Sequence, residues 1–244
     1  MLSTLLGTHP PRMPVQALIR VGQVFDISEG TVRVALSRMA ADGDITAANG
    51  TYSLGERLRS RAERQDESRA PELRGWTGRW EMAVVTASGR SASERAALRR
   101  AMVDLRLAEQ REGVWLRPAN LRRTHPRPPS LAGQCAWYDA QPDGDPVQVA
   151  HSLWDLEAWA DRARRLHAAL DDASGTGGPG SLAHGFVVSA AVLRHLLSDP
   201  LLPEPLLPSD WPGDLLREQY ERFDAAYRAG LRDYTRESTG RAPR

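Results

Sequence analysis

The stretch from Ile27 to Leu54 constrains the fold more than any other part of this 244-residue chain. Ser28 is a strong helix N-cap and Glu29 suits the positive end of a helix dipole, so a helix is expected from here to about Ala41. On a helical repeat Val32, Ala35, Leu36 and Met39 share one side, and Thr31, Arg33, Val34, Ser37 and Arg38 share the other. The second side carries hydroxyls and two guanidiniums but no carboxylate. That composition suits the major groove of DNA, and it equally suits the solvated face of an ordinary amphipathic helix. Upstream, Val15, Leu18, Ile19 and Gly22 recur across Val15 to Phe25, and Asp26-Ile27 supplies a tight turn, so the two segments read as a helix-turn-helix. Downstream come a strand candidate, Ile45 to Ala47, the turn Ala48-Asn49-Gly50, and a second strand candidate, Thr51 to Leu54. Asn-Gly between short strands signals a hairpin because both residues accept positive φ. A helix-turn-helix followed by a hairpin is a winged helix. Its candidate DNA contacts are Ser28, Thr31, Arg33, Val34, Ser37 and Arg38 on the helix, with Asn49, Thr51 and Tyr52 on the wing.

The strings "VQALIRVGQVFDISEGTVRVALSRMAADGDI" and "GTYSLGERLRSR" resemble the N-terminal domain of the PaaX family, transcriptional repressors of phenylacetic acid catabolism and related pathways. The resemblance continues in order through "WTGRWEMAVV", "EGVWLRP", "HSLWDLEAW" and "SDPLLPEPLLPSDWPG", and so covers nearly the whole chain.

The length suits two or three domains, each burying its own core. No apolar run is long enough for a membrane span and no basic-then-apolar leader is present, so a soluble, untargeted, cytoplasmic protein is expected. A single Cys135 excludes an internal disulfide and a thiolate zinc cluster, and reads as a buried small residue. All 32 basic residues are Arg, which removes the P-loop, the Schiff-base lysine and the kinase lysine together. The six His show no metal-ligand spacing and there is no nucleophile elbow, so no catalytic residue, metal or cofactor is assigned. The net charge of +1 is unevenly spread: residues 1–74 carry 10 Arg and 9 acids (+1), 75–130 carry 11 Arg and 5 acids (+6), and 131–244 carry 11 Arg and 17 acids (−6). The basic excess therefore lies outside the winged helix. Either the winged helix uses a few well-placed Arg, or the middle segment attracts another polyanion.

Residues 1–58 are expected to form the winged helix, after a short first helix over Met1 to Leu6. Residues 59–74 read as a charged linker helix, solvated in preference to making a direct phosphate contact. Residues 75–145 read as a ferredoxin-like α+β domain: a strand at Trp80 to Thr86, a capping box at Ser91 and Glu94 starting a helix with Ala97, Leu98, Ala101, Met102 and Leu105 inward, then strands at Val114 to Leu116 and Gln134 to Tyr138. The family resemblance implies the same central fold, similar to Cas2. Residues 146–236 read as helical, with a face of Leu156, Trp159, Ala163, Leu166 and Leu170, a Gly-rich loop from Asp172 to Gly180, a helix from Leu182 to Leu197, and a proline-rich crossing. The last helix places Leu216, Tyr220, Phe223 and Tyr227 on a heptad-like seam, either for packing within the chain or as a dimer contact. Residues 237–244 read as a disordered tail, starting from about Thr235.

The resemblance implies a repressor acting as a homodimer on a pseudo-palindromic double-stranded operator, with a small effector of the aryl-acyl-CoA class such as phenylacetyl-CoA. Trp76, Arg79, Trp80, Trp115 and Arg117 could supply the apolar and cationic groups for such an effector. The competing expectation is that these Trp are core and the Arg excess is a solvated surface. An activator or regulator of another pathway would share every feature above. A ligand-binding or interaction protein without DNA affinity also fits the neutral N-terminal segment.

Overall fold

A computed structural model describes residues 10–122, 127–174 and 179–240, excepting the side chains of 57, 60, 129, 179 and 235–240. The expected helix over Met1 to Leu6 and much of the Gly-rich loop lie outside the described residues. The chain forms two compact units that do not follow sequence order. The first draws on Met1–Arg69, Ala163–Leu197 and Asp214–Arg244, and the second on Ala70–Arg162 and Ser198–Gly213. No helix among the described residues is long and apolar enough to cross a membrane.

The first unit contains the winged helix: β1 (Arg12–Pro14), α1 (Val15–Gln23), α2 (Glu29–Ala41), β2 (Ile45–Ala48), β3 (Thr51–Leu54) and α3 (Glu56–Arg69). The sheet order is β1-β3-β2, antiparallel throughout, with Arg12 opposite Ser53 and Ile45 opposite Leu54. The hairpin turn is the expected one, with φ of 48° at Asn49 and 70° at Gly50. Leu18, Ile19, Val32, Leu36, Ile45 and Leu54 close the core. Strand β1 was not expected, because Pro10, Pro11 and Pro14 cannot donate to a ladder; an edge position tolerates them.

Helix α3 corrects the solvated-linker expectation. Leu58 and Ala62 join the winged-helix core, and Gln65 and Ser68 on the same side are buried as well. With only two apolar residues on that side, hydropathy hid the packed face. Gly55 sets where α3 leaves the wing: a Cβ there would stand 2.1 Å from the Gly43 carbonyl oxygen, while its N–H donates to the Asp44 carbonyl at 2.7 Å.

The remaining helices of this unit are the later part of α6 (Leu156–Ala173), α7 (Pro179–Leu196) and α8 (Gly213–Gly240). Phe186 of α7 meets Phe25, just beyond α1, edge to face at 5.1 Å between centroids. The α8 seam is packed within the chain. Leu216 and Tyr220 are 0% and 1% exposed, Phe223 is buried, and Tyr227 is half-buried and stacked on Phe223 at 5.9 Å. A Cβ on Gly185 of α7 would lie 3.1 Å from the Tyr227 ring, so glycine allows this close approach. The α8 backbone stays helical to Gly240, past the point where the tail was expected to begin.

The second unit is built on β4 (Trp80–Val85), α4 (Ala92–Asp104), β5 (Ala108–Arg111), β6 (Val114–Pro118) and β7 (Cys135–Ala140), in the sheet order β5-β6-β4-β7. This is the order of a ferredoxin-like sheet, the fold expected, although β5 was not among the strands named from the sequence. Ser91 and Glu94 make the capping box reciprocally, and Leu98, Ala101 and Met102 of α4 are buried. Because β6 and β7 both run antiparallel to β4, they are parallel to each other and need a crossover. A second helix would ordinarily make it. Here the described part of residues 119–134 contains only a 3-10 turn, Pro129–Leu131, pinned by Leu131 in a core with Ala83, Leu98, Met102 and Trp115. Cys135 is half-buried against this core rather than fully buried. On the other sheet face, Trp80 and Leu116 pack with Ala150, Leu156, Leu202 and Leu206. Ala150 belongs to α5 (Pro146–Leu153), whose start the pair Asp145-Pro146 marks: the Asp145 side chain accepts from the Val147 N–H at 2.9 Å.

Candidate DNA interface and central cleft

Helix α2 starts where its sequence directs. Ser28 Oγ accepts from the Thr31 N–H at 3.3 Å and shares a hydrogen bond with Thr31 Oγ1 at 2.9 Å. Val32 and Leu36 are 1% and 0% exposed, so the rotation of the helix about its axis is fixed by the core. Thr31, Arg33, Val34, Ser37 and Arg38 are consequently all exposed, Val34 at 53%. An aliphatic side chain displayed among hydroxyls and guanidiniums is the mixture that meets thymine methyls and base-edge acceptors. Arg33 is held along the helix by Glu29, with Nε donating at 2.8 Å and Nη2 at 2.7 Å. Beside α2 the wing presents Asn49 at its exposed tip. Thr51 and Tyr52 are half-buried, Tyr52 packing against the winged-helix core.

The five aromatic and cationic residues assigned to an effector do not form one cluster. Trp115 is 3% exposed beneath α4, with the Arg99 guanidinium over its ring at 5.4 Å. Trp76 lies edge to face with Trp80, donating from Nε1 to the Arg79 carbonyl at 2.7 Å. Arg79, Trp80 and Arg117 line a cleft of about 940 Å³; Trp76 and Trp115 do not. The cleft also contains Arg74, Arg122, Arg127, Trp137, Glu81 and Asp139.

Sheet register explains this grouping. Arg117, Glu81 and Asp139 stand side by side across β6, β4 and β7, and the next row on the same face is Trp115, Ala83 and Trp137. Arg79 pairs with Asp139 at 2.9 Å and Arg127 pairs with Glu81 at 3.0 Å, its guanidinium lying 3.8 Å above the Trp137 ring. Arg117, 1% exposed, donates from Nε to the Pro118 carbonyl at 2.9 Å and from Nη2 to Asn120 Oδ1 at 2.8 Å. One wall is the bridge between Leu73 and Leu121, where the Arg74 N–H donates to the Asn120 carbonyl at 2.8 Å. Trp137, Arg122 and Arg127 escaped the sequence reading because they join this cleft only in the folded chain: Trp137 through the register of β7 on β4, Arg127 through its ion pair with Glu81, and Arg122 beside Glu72. The one available signal was the basic excess of the middle segment. No group of three or more His, Cys, Asp or Glu able to hold a metal occurs among the described residues.

The chain thus joins a winged helix with a displayed donor face to a ferredoxin-like sheet and C-terminal helices. Three family models match the chain: PaaX-like protein over residues 1–58, the PaaX protein central Cas2-like domain over 73–126, and the PaaX-like protein C-terminal domain over 154–237. The chain belongs to the PaaX family and is a PaaX-type regulator. Among solved structures it is similar to the uncharacterized protein Rv0674 from Mycobacterium tuberculosis, at 40% identity over 96% of each chain with a TM-score of 0.75. No curated protein matches it.

Proposed function

We propose that this regulator is a sequence-specific DNA-binding repressor that lays α2 in the major groove with the wing against the adjacent backbone. The observation that carries the reading is the exposure of Thr31, Arg33, Val34, Ser37 and Arg38 on a helix locked by buried Val32 and Leu36. A two-fold homodimer would set two such helices on a pseudo-palindromic operator. A small effector of the aryl-acyl-CoA class releases the operator by favouring a dimer geometry that mismatches the half-site spacing. The effector class comes from the family resemblance.

The test is selection of DNA fragments by the purified protein, followed by mobility shifts on the recovered site. Arg33→Ala and Arg38→Ala are each expected to weaken binding by about 1–3 kcal/mol with unchanged circular dichroism. Unchanged affinity in both variants refutes the groove assignment. Titration with phenylacetyl-CoA should release the DNA, and intact complexes at millimolar ligand remove that effector.

A further inference from the structure

Helix α2 carries a glycine that its own fold does not require. Gly30 sits in the first turn with helical backbone, and a Cβ built on it would meet no atom within 4 Å. Glycine is less favourable than alanine inside a helix, and the usual reasons to keep one are a positive φ, a crowded neighbour or the close approach of a partner to the backbone. Gly55 shows the second reason, since a Cβ there would strike the Gly43 carbonyl. At Gly30 the first two are absent, which leaves the third.

Val34 is a separate observation on the same face. Among described residues 10–69 it is the only large apolar side chain left exposed, at 53%. It follows Gly30 by four residues, and helical side chains lean toward the N-terminus, so its isopropyl group stands over the bare Gly30 turn. Ser37, three residues further on and exposed, adds a hydroxyl beside it. An apolar wall gains nothing from a phosphate. In the major groove the one apolar group on a base edge is the thymine C5-methyl, which lies next to the O4 acceptor. We infer that Gly30 and Val34 form a notch that reads a thymine, its C5-methyl seated against Val34 over the Gly30 backbone and its O4 accepting from the Ser37 hydroxyl. The inference rests on the proposed placement of α2 in the major groove and adds which base is read and by which residues.

The experiment uses the full chain and the duplex recovered by its own selection. Affinity is measured by fluorescence anisotropy as each thymine in turn is replaced by deoxyuridine, which removes the methyl alone. At the thymine facing the notch the exchange should weaken binding about fourfold, equivalent to ~0.8 kcal/mol for one buried methyl. Val34→Ala should bind the parent duplex at least about fourfold more weakly, and the same exchange should then have no further effect. Val187→Ala, at a valine 63% exposed on α7, should bind as the parent does. Gly30→Ala should melt no lower than the parent, since the added methyl meets nothing in the chain, yet bind DNA at least about tenfold more weakly. A recovered site without thymine, no exchange that weakens binding, or a weakening that persists in Val34→Ala overturns the thymine assignment, and Gly30→Ala binding as the parent does overturns the notch. Failure of the groove placement has a different signature, unchanged affinity in both Arg33→Ala and Arg38→Ala, whereas the thymine assignment fails on its own when those two variants still weaken binding.

Discussion

Replacing Arg69 with Met separates a structural ion-pair network from surface decoration. Arg69 ends α3, and its guanidinium donates to both carboxylate oxygens of Glu221 on α8 at 2.7 Å and to Asp224 at 3.0 Å. Its side chain is 14% exposed and it sits 5.4 Å from the Tyr220 ring. Two hydrogen bonds to Glu221, followed by the nearby charge of Asp224, hold its pKa well above the usual arginine value despite burial. Removing one partner of a buried ion pair costs about 3–5 kcal/mol. Two features reduce that here. Glu221 is 49% exposed and can rehydrate, and Asp224 keeps Arg228 at 2.7 Å. The expected loss is therefore about 2 kcal/mol, above the ~0.2–1 kcal/mol of an exposed pair. Urea denaturation followed by far-UV circular dichroism measures it. The seven Trp residues all belong to the second unit, so fluorescence reports that unit, and the larger shift should appear in the dichroism. Adding Glu221→Gln to Arg69→Met should cost little more, since the partner is already lost. A change below about 0.5 kcal/mol for Arg69→Met, within the range of ordinary surface substitutions, would refute the argument.

The ion pair of Arg33 with Glu29 places a carboxylate on the face that was expected to carry none, so Glu29→Gln releases Arg33; operator affinity should rise roughly threefold, in line with the ~0.2–1 kcal/mol of an exposed pair, and a fall in the mobility shift counts against the face. Gly55→Ala pushes a methyl into the Gly43 carbonyl, so the wing must shift; a loss of at least about 1–3 kcal/mol is expected by thermal unfolding. Burial first, then the charge of Asp224, pushes the Tyr220 hydroxyl up to about 12 from an ordinary value of 10.0. With the folded pKa raised, the neutral form stabilises the fold below pH 10, and that contribution is lost as pH rises from about 10 to about 12. The loss is on the order of 2–3 kcal/mol, and Tyr220→Phe should flatten the alkaline limb of the unfolding profile.

The N-terminal motif was legible because its determinants are local. Ser28 as cap, the spacing of Val32 and Leu36, and Asn49-Gly50 at the turn each act within a few residues, and each is found as expected. Ser91 and Glu94, a capping pair three residues apart, were legible for the same reason. The charged exterior of α3 gave no such signal. Its buried stripe of Leu58, Ala62, Gln65 and Ser68 acquires meaning only when the winged-helix core and α7 are there to receive it.

Local sequence determined the winged-helix elements α1, α2, β2 and β3, how α2 is turned, and which family the chain resembles. Tertiary structure alone decided that the α8 seam is packed within the chain, that Trp115 belongs to the core, and that Trp137, Arg122 and Arg127 share a cleft with Arg117. The reason is range. Caps, turns and helical faces are set by neighbours along the chain. Register across β6, β4 and β7 joins residues separated by long loops, and no local pattern encodes which of several possible partners the pairing selects.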